Sequence, residues 1–276
     1  MATRIQSLLG SALHDVRVHS IDKWVRARLG EAIVVSTTAA TVVWEPRRVV
    51  PSYAVPVSDV HGELVPHIGD AGQENIVRMG LDGPPVLDPT TPFSVHTCAG
   101  TPLSIRTVHG ELPGAAFAPE DPDLAGYVIL DWAAFTSWQE EDDVVVGHPH
   151  DPFDRIDCLR SSRHIVVASA GQVLADTRRS TLLFETALPM RYYVPRDDVR
   201  MDVLAPSELR SVCAYKGTAS YWSAMIDGRV ERDIAWSYEQ PLHDALPVRG
   251  MICFFSERVD LTVDEVTVPR PVTPWS

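Results

Sequence analysis

Short runs in which apolar and polar residues alternate cover most of the chain, which is the pattern of half-buried β-strands. The clearest example extends from Ser220 to Ile226 and is followed by Asp227-Gly228 and a second alternating run from Arg229 to Tyr238. Asp-Gly readily adopts the positive φ angles of a two-residue turn whose twist matches the flanking strands. The pattern therefore predicts an antiparallel hairpin centred on Asp227-Gly228.

Other segments extend the β pattern over both halves of the chain. Turns at His109-Gly110 and Ala170-Gly171 predict two more hairpins, and Met251–Phe255 and Val259–Val263 predict a final strand pair. The 22 prolines disfavour long helices, so only short helical turns are expected, near Ser7–His14 and Trp132–Trp138. The predicted fold class is mainly β with few short helices.

The second half of the chain repeats the first. Val42–Glu45 returns as Leu182–Glu185, and Val55–Val60 returns as Val194–Val199. Because the period is the length of a domain, two homologous β-rich domains in tandem are predicted rather than a solenoid. The predicted division is a first, degenerate repeat domain at residues 1–140 with an inserted loop near 70–92, a linker at 141–163, and a second repeat domain with the ligand pocket at 164–276.

Composition limits the classes of partner. The formal net charge of −13 repels phosphate backbones, so no nucleic-acid partner is expected. No apolar run approaches the roughly 18 residues of a membrane span, so no membrane partner is expected. The four cysteines, Cys98, Cys158, Cys213 and Cys253, are scattered without a C-x-x-C pair, which favours reduced thiols and a cytoplasmic protein. Composition does not indicate the oligomeric state.

Several segments, in order, carry a resemblance to a known family. They are Gly147–Phe153, Arg160–His164, Tyr192–Val199, Cys213–Trp222 and Ala235–Tyr238. Together they resemble tandem members of the bacterial and fungal family called domain of unknown function 427. The family's Cys-Pro-aromatic-Lys-Gly is Cys-Ala-Tyr-Lys-Gly here, and the first repeat departs further, with no lysine after Cys98. The resemblance implies a β-rich fold of the Mss4-like or β-tent type. Relatives of that fold often hold zinc on paired C-x-x-C knuckles, which this sequence does not contain.

Cys213, Lys216 and Glu185 are the candidate catalytic residues. Cys213 and Lys216 lie three residues apart, before Gly217, and an ammonium near a thiol favours the reactive thiolate. Glu185 ends an apolar strand, where a carboxylate needs a partner, and Lys216, Arg191 or Arg196 could supply it. The alternative is structural, with Cys213 as a buried core residue and Glu185 in a structural salt bridge.

Aromatic residues lie close to these charges in the sequence. Tyr193, Tyr221 and Trp236 are the candidate walls of a ligand pocket, and Arg191 is a further ligand-binding candidate. Simple core packing is the alternative for the aromatic residues. The first repeat offers Cys98 and Thr101 in place of Cys213 and Lys216, and it is expected to be a scaffold or a degenerate site.

Two function classes follow from these residues. The first is a module that binds a small polar or anionic metabolite in the aromatic-lined pocket of the second repeat. The second is an enzyme acting on a small molecule, with Lys216 and Glu185 in charge stabilisation or acid-base chemistry and Cys213 as the nucleophile. Whether the protein is an enzyme stays open. No cofactor is predicted, and no metal is predicted because the rigid, extended setting of the histidines at 148–150 disfavours convergence of ligands.

Overall fold

The structure is a computed structural model that describes residue 2 and residues 10–78, 84–186 and 188–273. The chain divides into two compact units, residues 1–77 with 84–151 and residues 78–83 with 152–276. In chain order, the first strands are β1 (Arg17–Ser20), β2 (Val25–Leu29), β3 (Ala32–Thr37), β4 (Thr41–Trp44), β5 (Ser52–Pro56), β6 (Glu63–Pro66), β7 (Ile76–Arg78), β8 (Pro85–Leu87), β9 (Gly100–Thr107), β10 (Gly110–Pro119), β11 (Tyr127–Leu130), β12 (Ser137–Glu140) and β13 (Asp143–Val145).

The later strands all lie in the second unit. They are β14 (Ile156–Ser161), β15 (Ile165–Ser169), β16 (Gln172–Thr177), β17 (Ser180–Glu185), β18 (Arg191–Val194), β19 (Leu204–Cys213), β20 (Gly217–Ile226), β21 (Arg229–Ser237), β22 (Ile252–Phe254), β23 (Asp260–Val263) and β24 (Val266–Val268). Short 3₁₀ helices occupy Ala12–His14, Val57–Asp59, Pro122–Leu124, Trp132–Ala134, Arg196–Asp198, Met201–Val203 and His243–Val248.

Within the described residues, each unit contains one large and one small antiparallel sheet. The first unit has the strand orders β1-β4-β5-β11-β10-β9-β6 and β13-β12-β2-β3. The second has the orders β14-β17-β18-β22-β21-β20-β19 and β24-β23-β15-β16. When the strands of each unit are taken in chain order, leaving out β7 and β8, the two orders are the same. The predictions of a mainly-β fold and of a tandem repeat are thus confirmed.

The strand register gives the residue correspondence between the repeats. Thr41 pairs with Ala54, and Thr181 pairs with Tyr193, in the equivalent strand pairs β4–β5 and β17–β18. The spacing of 140 positions between Thr41 and Thr181 also relates Glu45 to Glu185. The sequence repeat is therefore a true structural correspondence at this carboxylate.

The hairpin at Asp227-Gly228 is confirmed. β20 and β21 pair from Ser220 with Ser237 to Ile226 with Arg229, and the two turn residues have φ angles of 47° and 72°. The hairpins at His109-Gly110 and Ala170-Gly171 are present as β9–β10 and β15–β16. These turns form where the residues that tolerate positive φ occur.

The expected pairing of Met251–Phe255 with Val259–Val263 is wrong. β22 pairs with β18 and β21 in the large sheet, whereas β23 pairs with β15 and β24 in the small one. The segment between β22 and β23 crosses from one sheet to the other, so adjacency in sequence does not become a hairpin. Short helical turns are present at Ala12–His14 and Trp132–Ala134, while residues 7–9 lie outside the described residues.

The inserted loop of the first repeat lies between β6 and β9. Pro66 pairs with Leu103 and Pro206 with Trp222, so β6–β9 and β19–β20 are equivalent pairs. The second unit joins its pair by a turn, whereas the first places β7 and β8, a separate two-stranded sheet, in the connection. Residues 79–83 of the predicted loop lie outside the described residues. The segment 141–163, predicted as a linker, includes β13 and β14, each at an edge of a sheet.

Apolar residues of the large and small sheets form the main core of each unit. In the second unit this core joins Ile165 and Leu261 of the small sheet to Leu182, Val194 and Ile252 of the large sheet. No helix in the described part of the chain is long and apolar enough to cross a membrane.

Candidate functional site

The candidate residues lie on the outer face of the large sheet in the second unit, opposite the small sheet. Successive residues of a strand point to opposite faces, so Leu182 packs in the main core and Leu183 in a second cluster. We call this second cluster the outer-face cluster. Its buried residues are Leu183, Tyr193, Ala219, Trp236, Tyr238, Ala245, Val248 and Cys253.

Lys216 and Glu185 form a salt bridge beside this cluster. Glu185 ends β17 on the same face as Leu183, and Lys216 lies in the turn between β19 and β20. The Nζ–Oε2 distance is 2.5 Å, and the side chains are only 9% and 7% exposed. Gly217 follows with a φ of 89°, a backbone conformation that glycine adopts without strain. The predicted contact between the lysine and a carboxylate is therefore present.

The neighbours of Lys216 keep its amine protonated. Burial lowers the pKa of Lys216, because it penalises the ammonium, but the Glu185 carboxylate and the Cys213 side chain raise it, and the net pKa lies above the ordinary value. Lys216 is thus a cation throughout the neutral range. It is the charged group that the site can offer to a ligand.

Cys213 lies at the end of β19, where it pairs with Gly217 across the turn. Its side chain is half-buried and is close enough to Lys216 to raise the pKa of the lysine. The structure thus brings together the three predicted catalytic residues, Cys213, Lys216 and Glu185, at one corner of the sheet.

The predicted aromatic residues divide between packing and exposure. Tyr193 is fully buried, and its hydroxyl accepts a hydrogen bond from Trp236 Nε1 at 3.0 Å. Trp236 in turn packs against Phe255, with ring centroids 4.5 Å apart. Tyr221 is half-buried, stacks on Phe255 at 6.4 Å and exchanges a hydrogen bond of 2.8 Å with Ser211. Tyr221 and Phe255 are therefore the aromatic residues that solvent reaches.

Arg191 is not part of the Lys216 group of contacts. Its guanidinium donates two hydrogen bonds to the Glu257 carboxylate, at 2.7 and 2.8 Å, and one to Ser256. It also lies 5.4 Å from the centroid of the Trp236 ring. Arg196, the other cation considered for Glu185, pairs with Glu239 at 2.5 Å. Lys216 is thus the cation that pairs with Glu185.

Tyr238, Phe255 and Glu257 are parts of this region that were not chosen from the sequence. Burial raises the pKa of Tyr238, and the charges of Cys213 and Glu185 raise it further, so its phenol stays neutral. A buried arginine on a strand requires a carboxylate, but nothing in the sequence near Arg191 identifies Glu257, 66 positions away, as that partner. Phe255 had no signal in the sequence, because the segment after β22 does not continue the strand pattern.

Comparison with known proteins supplies a family for this unit. Residues 157–265 match the family model described as "Domain of unknown function (DUF427)". The second unit carries a DUF427 domain. The match contains both Glu185 and Lys216 and extends from β14 to the turn after β23. No curated protein matched the chain significantly.

The first unit shows what the corner looks like without the lysine. Glu45, equivalent to Glu185 of the DUF427 domain, accepts hydrogen bonds from the Thr97 backbone N–H at 2.7 Å and from Cys98 Sγ at 3.7 Å, and lies 3.1 Å from His96 Nδ1. Arg48 Nε is more distant, at 3.9 Å, and Arg47 instead binds Glu74. A backbone donor, a thiol and the side chains of His96 and Arg48 therefore surround the equivalent carboxylate.

The register changes one expected correspondence. Pro102 pairs with Phe117 as Tyr221 pairs with Trp236, and these pairs are equivalent in the two large sheets. Five positions earlier, Thr97 then corresponds to Lys216. The expected match of Cys98 with Cys213, and of Thr101 with Lys216, is wrong because the inserted loop falls between β6 and β9.

The histidines are the remaining candidates for metal binding. No group of three or more His, Cys, Asp or Glu side chains among the described residues could hold a metal ion. His164 instead bonds Asp176 at 2.8 Å and Glu265 at 3.0 Å on the surface of the DUF427 domain.

Proposed function

We propose that the DUF427 domain binds a small polar or anionic metabolite at the corner formed by Lys216, Glu185 and Cys213, with Tyr221 and Phe255 as its aromatic wall. The observation that carries this proposal is the buried ammonium of Lys216. Burying an ion pair is costly, and such a pair is a weak source of stability. Ligand binding supplies a reason for keeping the charge that stability alone does not.

The first repeat supports this reasoning. It forms the same corner around Glu45 with a backbone N–H at Thr97, His96 at 3.1 Å and Arg48 at 3.9 Å in place of the lysine. The fold thus accommodates this carboxylate without a lysine. The half-exposed rings of Tyr221 and Phe255 pack against the same outer-face cluster, and a fixed cation together with aromatic rings is typical of small-ligand sites.

The ligand prediction concerns the charge of Lys216. We expect small dicarboxylates, such as succinate or malate, to bind the full chain, and Lys216→Met to weaken that binding by about 1.5–3 kcal/mol, the range for a charged hydrogen bond. Titration calorimetry measures this difference. Tyr221→Ala should also weaken binding, because it removes part of the wall while the ion pair remains.

Thr101→Ala is the control, since Thr101 is an exposed residue of the first unit. It should leave the affinity unchanged. Equal affinities for wild type, Lys216→Met and Tyr221→Ala would refute the proposed site.

The second candidate function is catalysis with Cys213 as a nucleophile, with Lys216 and Glu185 in acid-base or charge-stabilising roles. The specific observation in its favour is that Cys213 pairs with Gly217 across the turn that carries Lys216, which places the thiol near the ammonium. An ammonium beside a thiol favours the thiolate, which is the form that attacks an electrophile. Glu185 shares the same ammonium and opposes this effect.

Alkylation by iodoacetamide tests this second function. At neutral pH, Cys213 should react faster than Cys98 or Cys253, because burial raises the pKa of each of those two thiols to about 12. Lys216→Met should then slow alkylation of Cys213, as measured by mass spectrometry of peptides. Alkylation of Cys213 at the rate of Cys98, unaffected by Lys216→Met, would remove the case for catalysis.

A further inference from the structure

A second polar region lies at the other end of β17. An open groove with a volume of about 500 Å³ occurs where β14 ends and β17 begins. Three arginines, Arg160, Arg178 and Arg179, line it, and its other lining residues are serines and a threonine, among them Ser180. None of the described residues that line it is acidic. We call it the arginine groove.

The arginines of the groove are only partly neutralised. Arg179 binds Asp198 at 2.6 Å, and Arg178 is 4.0 Å from Glu265, at the limit of a salt bridge. Arg160 is exposed and has no ion-pair partner in the described part of the chain. In a protein with a net charge of −13, this is a local concentration of positive charge.

Ser180 is the second, independent observation. It is 1% exposed, and its Oγ is buried without a hydrogen-bond partner among the described residues. A buried hydroxyl is normally paired, because leaving it unpaired carries a desolvation penalty. Ser180 is among the residues that line the groove, so a ligand oxygen is a candidate for the missing partner.

The first repeat lacks the charges of this groove. The spacing of 140 positions places Ser20, Thr38, Ala39 and Ala40 at the positions of Arg160, Arg178, Arg179 and Ser180. The pairs Ser20–Thr41 and Arg160–Thr181 confirm this register. The same backbone thus forms without any of the three arginines, so the fold does not explain them.

We propose that the arginine groove binds the phosphate groups of a small molecule. Guanidinium groups hold phosphate oxygens through paired hydrogen bonds, and hydroxyls complete the shell. A volume of about 500 Å³ suits a small molecule with one or two phosphates. The groove and the Lys216 corner lie at opposite ends of β17, five residues and about 17 Å apart, so the two sites are separate.

Titration of the full chain with inorganic pyrophosphate, in about 0.1 M NaCl to screen weak surface attraction, tests the proposal. We expect saturable binding at one site. The double variant Arg160→Ser with Arg178→Thr introduces the residues of the first repeat and should weaken binding at least about tenfold. Ser180→Ala, again the residue of the first repeat, should weaken binding without lowering the melting temperature of the free protein.

Arg229→Ser is the matched control, because Arg229 is an exposed arginine at the tip of the β20–β21 hairpin. It removes the same charge as Arg160→Ser and should leave pyrophosphate affinity within about twofold. The proposal is overturned if pyrophosphate does not bind, if Arg229→Ser weakens binding as much as the double variant, or if only oligonucleotides bind.

Discussion

Replacing Glu257 by glutamine should lower the free energy of unfolding of the second unit by about 3–5 kcal/mol, the usual effect of removing one partner from a buried ion pair. Glu257 is fully buried at its side chain and accepts two hydrogen bonds from the Arg191 guanidinium. It also accepts a hydrogen bond of 2.8 Å from Thr273. Glutamine keeps the shape but leaves the Arg191 charge buried without a counter-charge.

Urea unfolding followed by tryptophan fluorescence measures this change. Asp202→Asn is the control, because Asp202 pairs with Arg200 at 2.6 Å where both side chains are exposed. That substitution should change stability by less than about 1 kcal/mol. An effect of Glu257→Gln no larger than that of the control would show that the buried pair does not stabilise the unit.

The same pair has a predictable pH dependence. Burial alone raises the pKa of Glu257, but the hydrogen bonds and charge of Arg191 lower it below its ordinary value. A carboxylate whose folded-state pKa is depressed contributes stability above its unfolded pKa and loses it as the pH falls through the folded pKa. The difference between wild type and Glu257→Gln should therefore be constant near neutral pH and shrink in acid.

Removing Lys216 should have a comparably large effect on stability. Lys216→Met leaves the Glu185 carboxylate buried without its cation, and we expect a loss of about 3–5 kcal/mol. The double variant Lys216→Met with Glu185→Leu should recover most of that loss, since apolar residues of similar volume often replace a buried pair at little cost. A double-mutant cycle in urea gives the coupling energy.

High pH provides a second measurement on this pair. The folded-state pKa of Lys216 is raised, so its contribution is fully present below the unfolded pKa and is lost only as the pH rises through the higher folded value. The stability difference from Lys216→Met should thus persist from neutral to moderately alkaline pH. A loss below about 1 kcal/mol in Lys216→Met would contradict the pairing. A stable double variant that no longer binds ligand would separate the function of the charge from its structural role.

Local patterns in the sequence were enough to predict most of the sheet structure. The hairpins follow from turn residues that tolerate positive φ, as at Asp227-Gly228, and from alternation of the flanking residues. The contact between Lys216 and Glu185 was predictable because a carboxylate on an apolar strand requires a cation. For the hairpins the evidence lies within a few residues of the turn, whereas Glu185 and Lys216 are 31 positions apart and Arg191 and Arg196 were alternative partners.

Features that depend on the path of a connecting segment were not predictable in this way. β22 and β23 are neighbours in sequence but belong to different sheets, because the segment between them crosses the core. Arg191 finds its carboxylate 66 positions away, at Glu257, just after β22. The expected correspondence of Cys98 with Cys213 was wrong because the first repeat has an insertion between β6 and β9, which shifts the alignment of the residues that follow it.

The constant spacing of the repeats has a practical consequence for protein engineering. Residues 20–45 and residues 160–185 match without a gap. The irregularity in strand pairing also falls at equivalent positions, after Ala27 in the β2–β3 hairpin and after Val167 in the β15–β16 hairpin. A hybrid chain that carries residues 160–185 in place of 20–45 would thus need neither insertion nor deletion. Such a hybrid would place the arginines at 160, 178 and 179 in the first unit without changing the length of the chain.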